Sequence, residues 1–118
     1  MTDRITHAIE SLTDDEAANV RWNYGGLAGD ALHRSLLSDF NTACWYAWGR
    51  LDATPATPTQ QDTLDAADHV MTWGQTYALL RLDYMAGRTR GFLPSMKDAY
   101  DAFMNGARTP DALCNRRP

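Results

Sequence analysis

The sequence predicts an all-α protein in which a long antiparallel helical hairpin is flanked by three short helices. Apolar residues recur every three or four positions along most of the chain, whereas the alternation typical of strands is never sustained. A capping-box motif, Thr13-Asp14-Asp15-Glu16, marks the start of one helix. A short proline-containing loop between two long helical patterns favours an antiparallel pair.

The first two predicted helices are short. The first begins after Thr2, which is suited to cap it, and the second begins at the Thr13 capping box. Gly25 and Gly26 end or kink the second helix, because glycine readily leaves the helical conformation. The inward faces of these helices are predicted to consist of Ile5, Ile9, Leu12, Ala17, Val20 and Tyr24.

The two long helices are predicted over residues 27–53 and from Pro58 or Thr59 to Gly87. The stretch "ATPATPTQQD" (53–62) separates them, because each proline disfavours the helical conformation of the residue before it. The first helix carries one apolar stripe, formed by Leu32, Leu36, Phe40, Ala43, Ala47 and Leu51. The second carries two, formed by Leu64, Ala67, Met71, Ala78, Leu82 and Met85 and by Val70, Trp73, Tyr77, Leu80 and Tyr84.

A last short helix is predicted from Pro94 to Asn105, with Pro94 in its first turn and Gly106 after its end. It turns Met96, Tyr100 and either Phe103 or Met104 inward. We therefore expect a single helical domain over residues 1–106 and a loose tail over residues 107–118, since the whole chain has the length of one domain.

The charge distribution argues against nucleic acid as a partner. The chain carries a formal charge of −4, with a net −7 over residues 1–83 and +3 over residues 84–118. An acidic chain is not attracted to a phosphate backbone. No apolar run approaches the ~20 residues that a membrane span needs, and the N-terminus has no signal-peptide pattern. We therefore expect a cytoplasmic protein without a membrane partner, in which Cys44 and Cys114 are free thiols.

The segment "WYAWGRLD" (45–52) places three large aromatic residues in four positions of a helix. Trp45 points away from the apolar stripe, Tyr46 projects from its flank, and Trp48 belongs to the stripe or its edge. One interpretation makes all the aromatic residues intramolecular core. The other is a surface for a protein partner or for a second copy in a dimeric four-helix bundle. The residues of that surface would be Trp45, Tyr46, Trp73, Tyr77 and Tyr84.

Two glycines interrupt the long helices directly after a tryptophan, Gly49 after Trp48 and Gly74 after Trp73. A glycine inside a helix costs about 1 kcal/mol relative to alanine. We therefore expect the missing side chain to be used at both positions, most simply by close approach of a neighbouring helix.

No catalytic signature is found, and no catalytic residue, metal ligand or cofactor is predicted. Asp65 and His69 could share a helix face, as could Asp30 and His33, but such pairs are common on solvated faces. A metal-dependent enzyme built on Asp65 and His69 is the weakest alternative. Cys44 lies in an apolar stretch, which favours an inert thiol.

A weak candidate anion site lies near the start of the last helix. Arg88, Arg90 and Lys97 surround Phe92 and the helix N-terminus at Ser95. Cations and free backbone N–H groups together could hold a nucleotide or another phosphate ligand. The alternative interpretation is that the arginines complement the C-terminal dipole of the preceding helix and remain in solvent.

The segment "YAWGRLDA" (46–53) resembles a helical segment of small uncharacterised proteins from actinobacteriophages. The resemblance covers about eight residues and departs from the pattern at Leu51; the matching residues are Tyr46, Ala47, Trp48, Gly49, Arg50, Asp52 and Ala53. It implies a non-enzymatic phage accessory protein that binds a host protein or blocks a defence system, and it assigns no catalytic residue. An acidic face that imitates nucleic acid is a further option, formed by Asp14, Asp15, Glu16, Asp62, Asp65 and Asp68.

Overall fold

The computed structural model describes residues 3–27, 29–51, 59–88 and 93–106, and these residues form five helices and no strand. The prediction of an all-α protein is confirmed. The helices are α1 (Asp3–Glu10), α2 (Asp14–Asn23), α3 (Asp30–Arg50), α4 (Gln60–Ala86) and α5 (Met96–Met104). The predicted cap at Thr2, the proline loop and the tail over residues 107–118 lie outside the described residues.

Side-chain caps explain where the helices start. The predicted capping box at the start of α2 is confirmed, because Thr13 and Glu16 exchange hydrogen bonds with each other's backbone. Thr59 and Asp62 form a second capping box at the start of α4. These reciprocal bonds satisfy backbone N–H groups that have no partner within the helix.

Three predicted boundaries are wrong, and the first is the end of α3, which was predicted at residue 53 but lies at Arg50, with Leu51 as the C-cap. The helix α3 begins at Asp30 instead of residue 27, because Gly29 leaves the helical region with φ of +58°. The helix α5 begins at Met96, because the Ser95 hydroxyl accepts from the backbone N–H of Asp98 and makes Ser95 the N-cap. Pro94 therefore precedes the helix and does not lie in its first turn.

The two apolar stripes of α4 are covered by different helices of the same chain. One stripe packs with α3 and α5 in a cluster of Ala43, Ala47, Val70, Trp73, Tyr77, Leu80, Ala99, Tyr100 and Phe103. The other packs with α1, α2 and α3 in a cluster of Ile5, Val20, Leu32, Leu36, Ala78, Leu82, Met85 and Ala86. The short helices thus cover the faces of α4 that α3 alone cannot cover. Leu64 and Ala67, which were predicted in the same stripe as Ala78, Leu82 and Met85, are exposed near the start of α4.

The contacts between α3 and α4 show that these helices run in opposite directions. Asp39, near the middle of α3, lies 3.2 Å from Arg81, late in α4. Cys44, later in α3, donates its thiol to the carbonyl of Val70 at 3.6 Å. A Cβ added to Gly74 would lie 2.5 Å from the Cys44 sulfur, so α3 side chains fill the space that the missing side chain leaves. The expected close approach is confirmed at Gly74.

Candidate interaction surface

The side of α3 that faces away from α4 carries two exposed tryptophans. Trp45 is 75% exposed and Trp48 is 58% exposed, and they are three residues apart on one helix face. The buried residues of α3, Leu32, Leu36, Ala43 and Ala47, lie on the opposite side. We call the exposed side the α3 outer face, formed by Arg34, Ser38, Asn41, Thr42, Trp45, Trp48 and Gly49.

Gly49 forms an open gap beside Trp45 on this face. It lies one helical turn after Trp45, and a Cβ built on it would meet no atom of the described residues within 4 Å. The expectation that a neighbouring helix approaches Gly49 is therefore wrong. No element of the described chain covers α3 at this point, whereas Gly74 lies in the packed interior.

The middle of the α3 outer face is uncharged. Between Ser38 and Gly49 the sequence contains a single charged residue, Asp39. Its carboxylate lies beside Arg81 of α4 and is only 22% exposed, so it does not belong to the outer face. Arg34 and Arg50 lie beyond the two ends of this uncharged stretch. The central surface offers indole rings, an amide, hydroxyls and a gap.

The other predicted interface residues lie inside or against the core of the single chain. Trp73 is fully buried and Tyr77 nearly so, and both contact other aromatic rings. The prediction that they face a partner is corrected, because α3 and α5 already cover them. Tyr84 is half-buried against the second core cluster.

Tyr46 joins α3 to α5. Its ring packs edge-on against the ring of Tyr100, with centroids 5.5 Å apart, and the guanidinium of Arg50 lies 6.0 Å from the Tyr46 centroid. Arg50 also approaches Asp101 of α5 at 3.9 Å. Tyr46 is therefore a half-buried contact between helices, and Trp45 is the one predicted interface residue that stands largely in the open.

Two exposed tryptophans were missed by sequence reasoning. Trp48 was assigned to the apolar stripe or its edge. Its three-residue spacing from Trp45 is the signal that could have predicted both tryptophans on one exposed face. Trp22 of α2 is 85% exposed. No large apolar side chain lies four residues before or after it, because these positions are Ala18 and Gly26.

Three of the four residues in the two Asp/His pairs make contacts within the chain. The Nε2 atom of His69 is hydrogen-bonded to the Tyr100 hydroxyl, and Asp65 accepts from Gln61 at 2.8 Å. The Nε2 atom of His33 lies 3.2 Å from the Thr6 hydroxyl. Within the described ranges, no three His, Cys, Asp or Glu side chains converge in a way that could hold a metal ion.

The candidate anion site was predicted at the turn before α5, and its described cations, Arg88 and Lys97, are paired with carboxylates. Arg88 donates to Glu16 at 2.7 Å and to Asp83 at 2.9 Å. Lys97 donates to Asp101 at 2.9 Å, one turn further along α5. Arg90 lies outside the described residues. An anion at this turn would have to compete with the carboxylates that Arg88 and Lys97 already hold.

A half-buried polar cluster joins α2, α3 and α4. Tyr24 donates its hydroxyl hydrogen to Asp39 at 3.0 Å, and the Nε atom of Arg81 lies 3.2 Å from the same carboxylate oxygen. The guanidinium of Arg81 stacks over the Tyr24 ring at 5.7 Å. Burial raises the pKa of Asp39, although the charge of Arg81 opposes the shift, and burial also raises the pKa of Tyr24. These contacts connect three helices and hold the side chains in fixed positions.

Comparison with known proteins gives no relative. No protein-family model, no curated protein and no solved structure matches this chain. In the part of the chain that the structure describes, no helix combines the length and the apolar character needed to cross a membrane.

Proposed function

We propose that this protein is a non-enzymatic binding protein that engages another protein chain through the α3 outer face. The observation that carries the proposal is the pair Trp45 and Trp48, exposed together on one face beside the open gap at Gly49. Clustered exposed apolar residues with polar surroundings are typical of protein interaction sites. Tryptophan is among the residue types most often found at the energetic centre of such sites.

The positions of the other candidate groups support binding over catalysis. His69, Arg88 and Lys97 make contacts within the chain that explain their positions without a substrate. From Val70 onwards both apolar stripes of α4 are occupied by the chain's own helices, which leaves the α3 outer face as the described apolar surface with two large neighbouring side chains. The resemblance of the 46–53 segment to phage accessory proteins favours a protein as the partner, either a host protein or a second copy of the chain.

The proposal can be tested by placing a photoreactive amino acid at position 45 and, in a separate protein, at position 22. Both positions are highly exposed tryptophans with an open glycine four residues further on, but only Trp45 has a second exposed tryptophan, Trp48, on the same helix face. We expect irradiation in cells to attach a protein at position 45 and not at position 22. Each attached protein is then purified and titrated against the wild type, a Trp45→Ala/Trp48→Ala variant and a Trp22→Ala control.

The double substitution should weaken that binding by at least about tenfold, since interface anchors often contribute 2 kcal/mol or more. The Trp22→Ala control should bind like the wild type. The proposal is overturned if no protein attaches at position 45, or if the folded double variant binds as tightly as the control.

A further inference from the structure

We infer that the protein bound at the α3 outer face is a second copy of this chain. In this arrangement α3 packs antiparallel on its symmetry mate, and Trp45 of each copy covers the Gly49 gap of the other. The inference rests on the proposed function, because it names the partner of the same surface. It follows from the shape of that surface, from its charge and from its extent.

The shape of the face is complementary to itself under a two-fold rotation. Trp45 and Gly49 are four residues apart, so they lie on one face and about 6 Å apart along the helix. In an isologous pair, a protrusion on one copy meets a depression on the other, and the reverse contact follows by symmetry. A two-fold axis at the level of Ala47 would bring Trp45 of each copy over Gly49 of its mate. Trp48 would then border the same contact.

The glycine itself supports this pairing. Gly49 lies in the last turn and a half of α3, where alanine would favour the helix. No described residue of its own chain approaches the position, and its φ angle is not positive, so neither the described packing nor the backbone conformation requires a glycine there. Access for a large side chain from a second chain is a reason that does require it.

The charge of the face also fits a second copy. An isologous interface brings each surface patch against itself, so a charged centre would place like charges close together. With the axis at Ala47, α3 of one copy overlaps α3 of the other over residues 44–50, and Trp45, Trp48 and Gly49 at the centre of this overlap carry no charge, although the whole chain has a net charge of −4. The face can therefore meet its own copy without repulsion at its centre. Arg34 lies far from the axis, whereas Arg50 lies three residues from the level of Ala47, where Asp101 of its own chain approaches its guanidinium at 3.9 Å and offsets part of its charge.

The extent of the face indicates a weak dimer. A tryptophan buries roughly 150–250 Å² when it is fully covered, and part of each indole is already covered here. The two indoles with the neighbouring polar residues amount to less than the ~800 Å² per partner of a typical stable interface. We therefore expect a dimer that forms in the micromolar range and dissociates on dilution.

The experiment measures solution mass by sedimentation across a concentration series, for the wild type and three variants. Trp45→Gly removes the protrusion, and Gly49→Trp fills the gap, so each single variant should weaken the dimer by at least about tenfold. The double variant Trp45→Gly/Gly49→Trp exchanges the two features along the helix. Because the pairing is antiparallel, the exchanged protrusion and gap still meet, and self-association should return to within about threefold of the wild type.

Both substituted positions are open, so circular dichroism should show the same helical content in all four proteins. The inference is overturned if the wild type stays monomeric up to millimolar concentration, if Trp45→Gly leaves the dimer unchanged, or if the exchanged variant is folded and monomeric.

The photo-cross-link at position 45 separates failure of the inference from failure of the proposed function. A monomeric protein that cross-links there to a different protein contradicts the dimer and retains the binding surface. If no protein cross-links at position 45, both the dimer and the proposed binding surface are contradicted.

Discussion

Arg88 and Glu16 form a two-pronged ion pair that joins the end of α4 to the start of α2. The Nε atom of Arg88 lies 2.7 Å from Oε2 of Glu16, and Nη2 lies 3.0 Å from Oε1. Glu16 also accepts from the backbone N–H of Thr13 at 2.9 Å, as part of the capping box. One carboxylate therefore serves both the local start of a helix and a contact between helices distant in sequence. The hydrogen bond from Arg88 is the main reason that the pKa of Glu16 falls to about 2.

The first prediction follows from this lowered pKa. The folded pKa of Glu16 lies below its ordinary value of 4.5, so its contribution to stability is complete above pH 4.5 and is lost as the pH falls towards 2. Glu16→Gln should flatten the decline of the unfolding free energy across this window. Urea unfolding at a series of pH values measures the slope.

Glu10→Gln is the control for the pH series, because Glu10 is an exposed carboxylate of α1 for which the described residues provide no ion pair. This variant removes a carboxylate and leaves the Arg88 contact with Glu16 in place, so Glu16→Gln should have the flatter slope of the two. Equal slopes for Glu16→Gln and the wild type would show that the contact with Arg88 does not hold the carboxylate in its ionised form.

The second prediction compares two tryptophans of opposite exposure. Trp73 is fully buried, with ring centroids 5.1 Å from Tyr100 and 5.4 Å from Phe103. Trp73→Ala should lower the unfolding free energy by about 3–5 kcal/mol, as truncation of a buried tryptophan usually does. Trp45→Ala, measured by urea unfolding at a concentration where the protein is monomeric, should change it by less than about 0.5 kcal/mol. A comparable loss for both variants would mean that Trp45 belongs to the core.

Much of the fold was predictable because helix signals are local. The capping box at Thr13 and the start of α4 after Thr59 depend on residues a few positions apart. The stripe along α3 was also predicted well, since Leu32, Leu36 and Ala43 are buried. Local patterns of this kind depend only on residues close in sequence, so they can be recognised without knowing which helices pack together.

The surfaces were harder to predict, because periodicity identifies a helix face without saying what covers it. Trp45 and Trp73 have similar neighbours, each belonging to a segment with a tryptophan followed closely by a glycine. One is open and the other is buried, because α5 packs over α4 and no described element packs over the outer side of α3. The cluster of Tyr24, Asp39 and Arg81 was missed for the same reason, since its members come from the C-cap of α2, from α3 and from α4.

The third prediction compares the two glycines. A Cβ at Gly74 would lie 2.5 Å from the sulfur of Cys44 and 3.0 Å from the ring of Phe40, so Gly74→Ala should overpack the interior and cost about 1–3 kcal/mol, reduced by the better helix propensity of alanine. Gly49→Ala meets no atom within 4 Å and should stabilise the monomer by about 0.5–1 kcal/mol. Thermal and urea unfolding of both variants test the sign.

Gly49→Ala separates stability from association. If Trp45 of a second copy occupies the gap, this variant should be a more stable monomer and a weaker dimer at once. A variant that unfolds more easily than the wild type at low concentration would contradict the open environment of Gly49.

The last prediction concerns Asp39 and Arg81, whose side chains are 22% and 30% exposed. Burial raises the pKa of Asp39 despite the nearby cation, so the folded state favours the protonated carboxyl more than the unfolded state does. This contribution to stability is present at low pH and is lost as the pH rises through the folded pKa.

Asp39→Asn is uncharged at every pH and keeps an acceptor for the Tyr24 hydroxyl. At pH 7 its unfolding free energy should lie within about 1 kcal/mol of the wild type or above it. Arg81→Met leaves the half-buried carboxylate without its cation and should cost about 1–3 kcal/mol. We therefore expect urea unfolding at pH 7 to give a lower unfolding free energy for Arg81→Met than for Asp39→Asn. The reverse order would show that attraction to Arg81 outweighs the cost of burying the charge of Asp39.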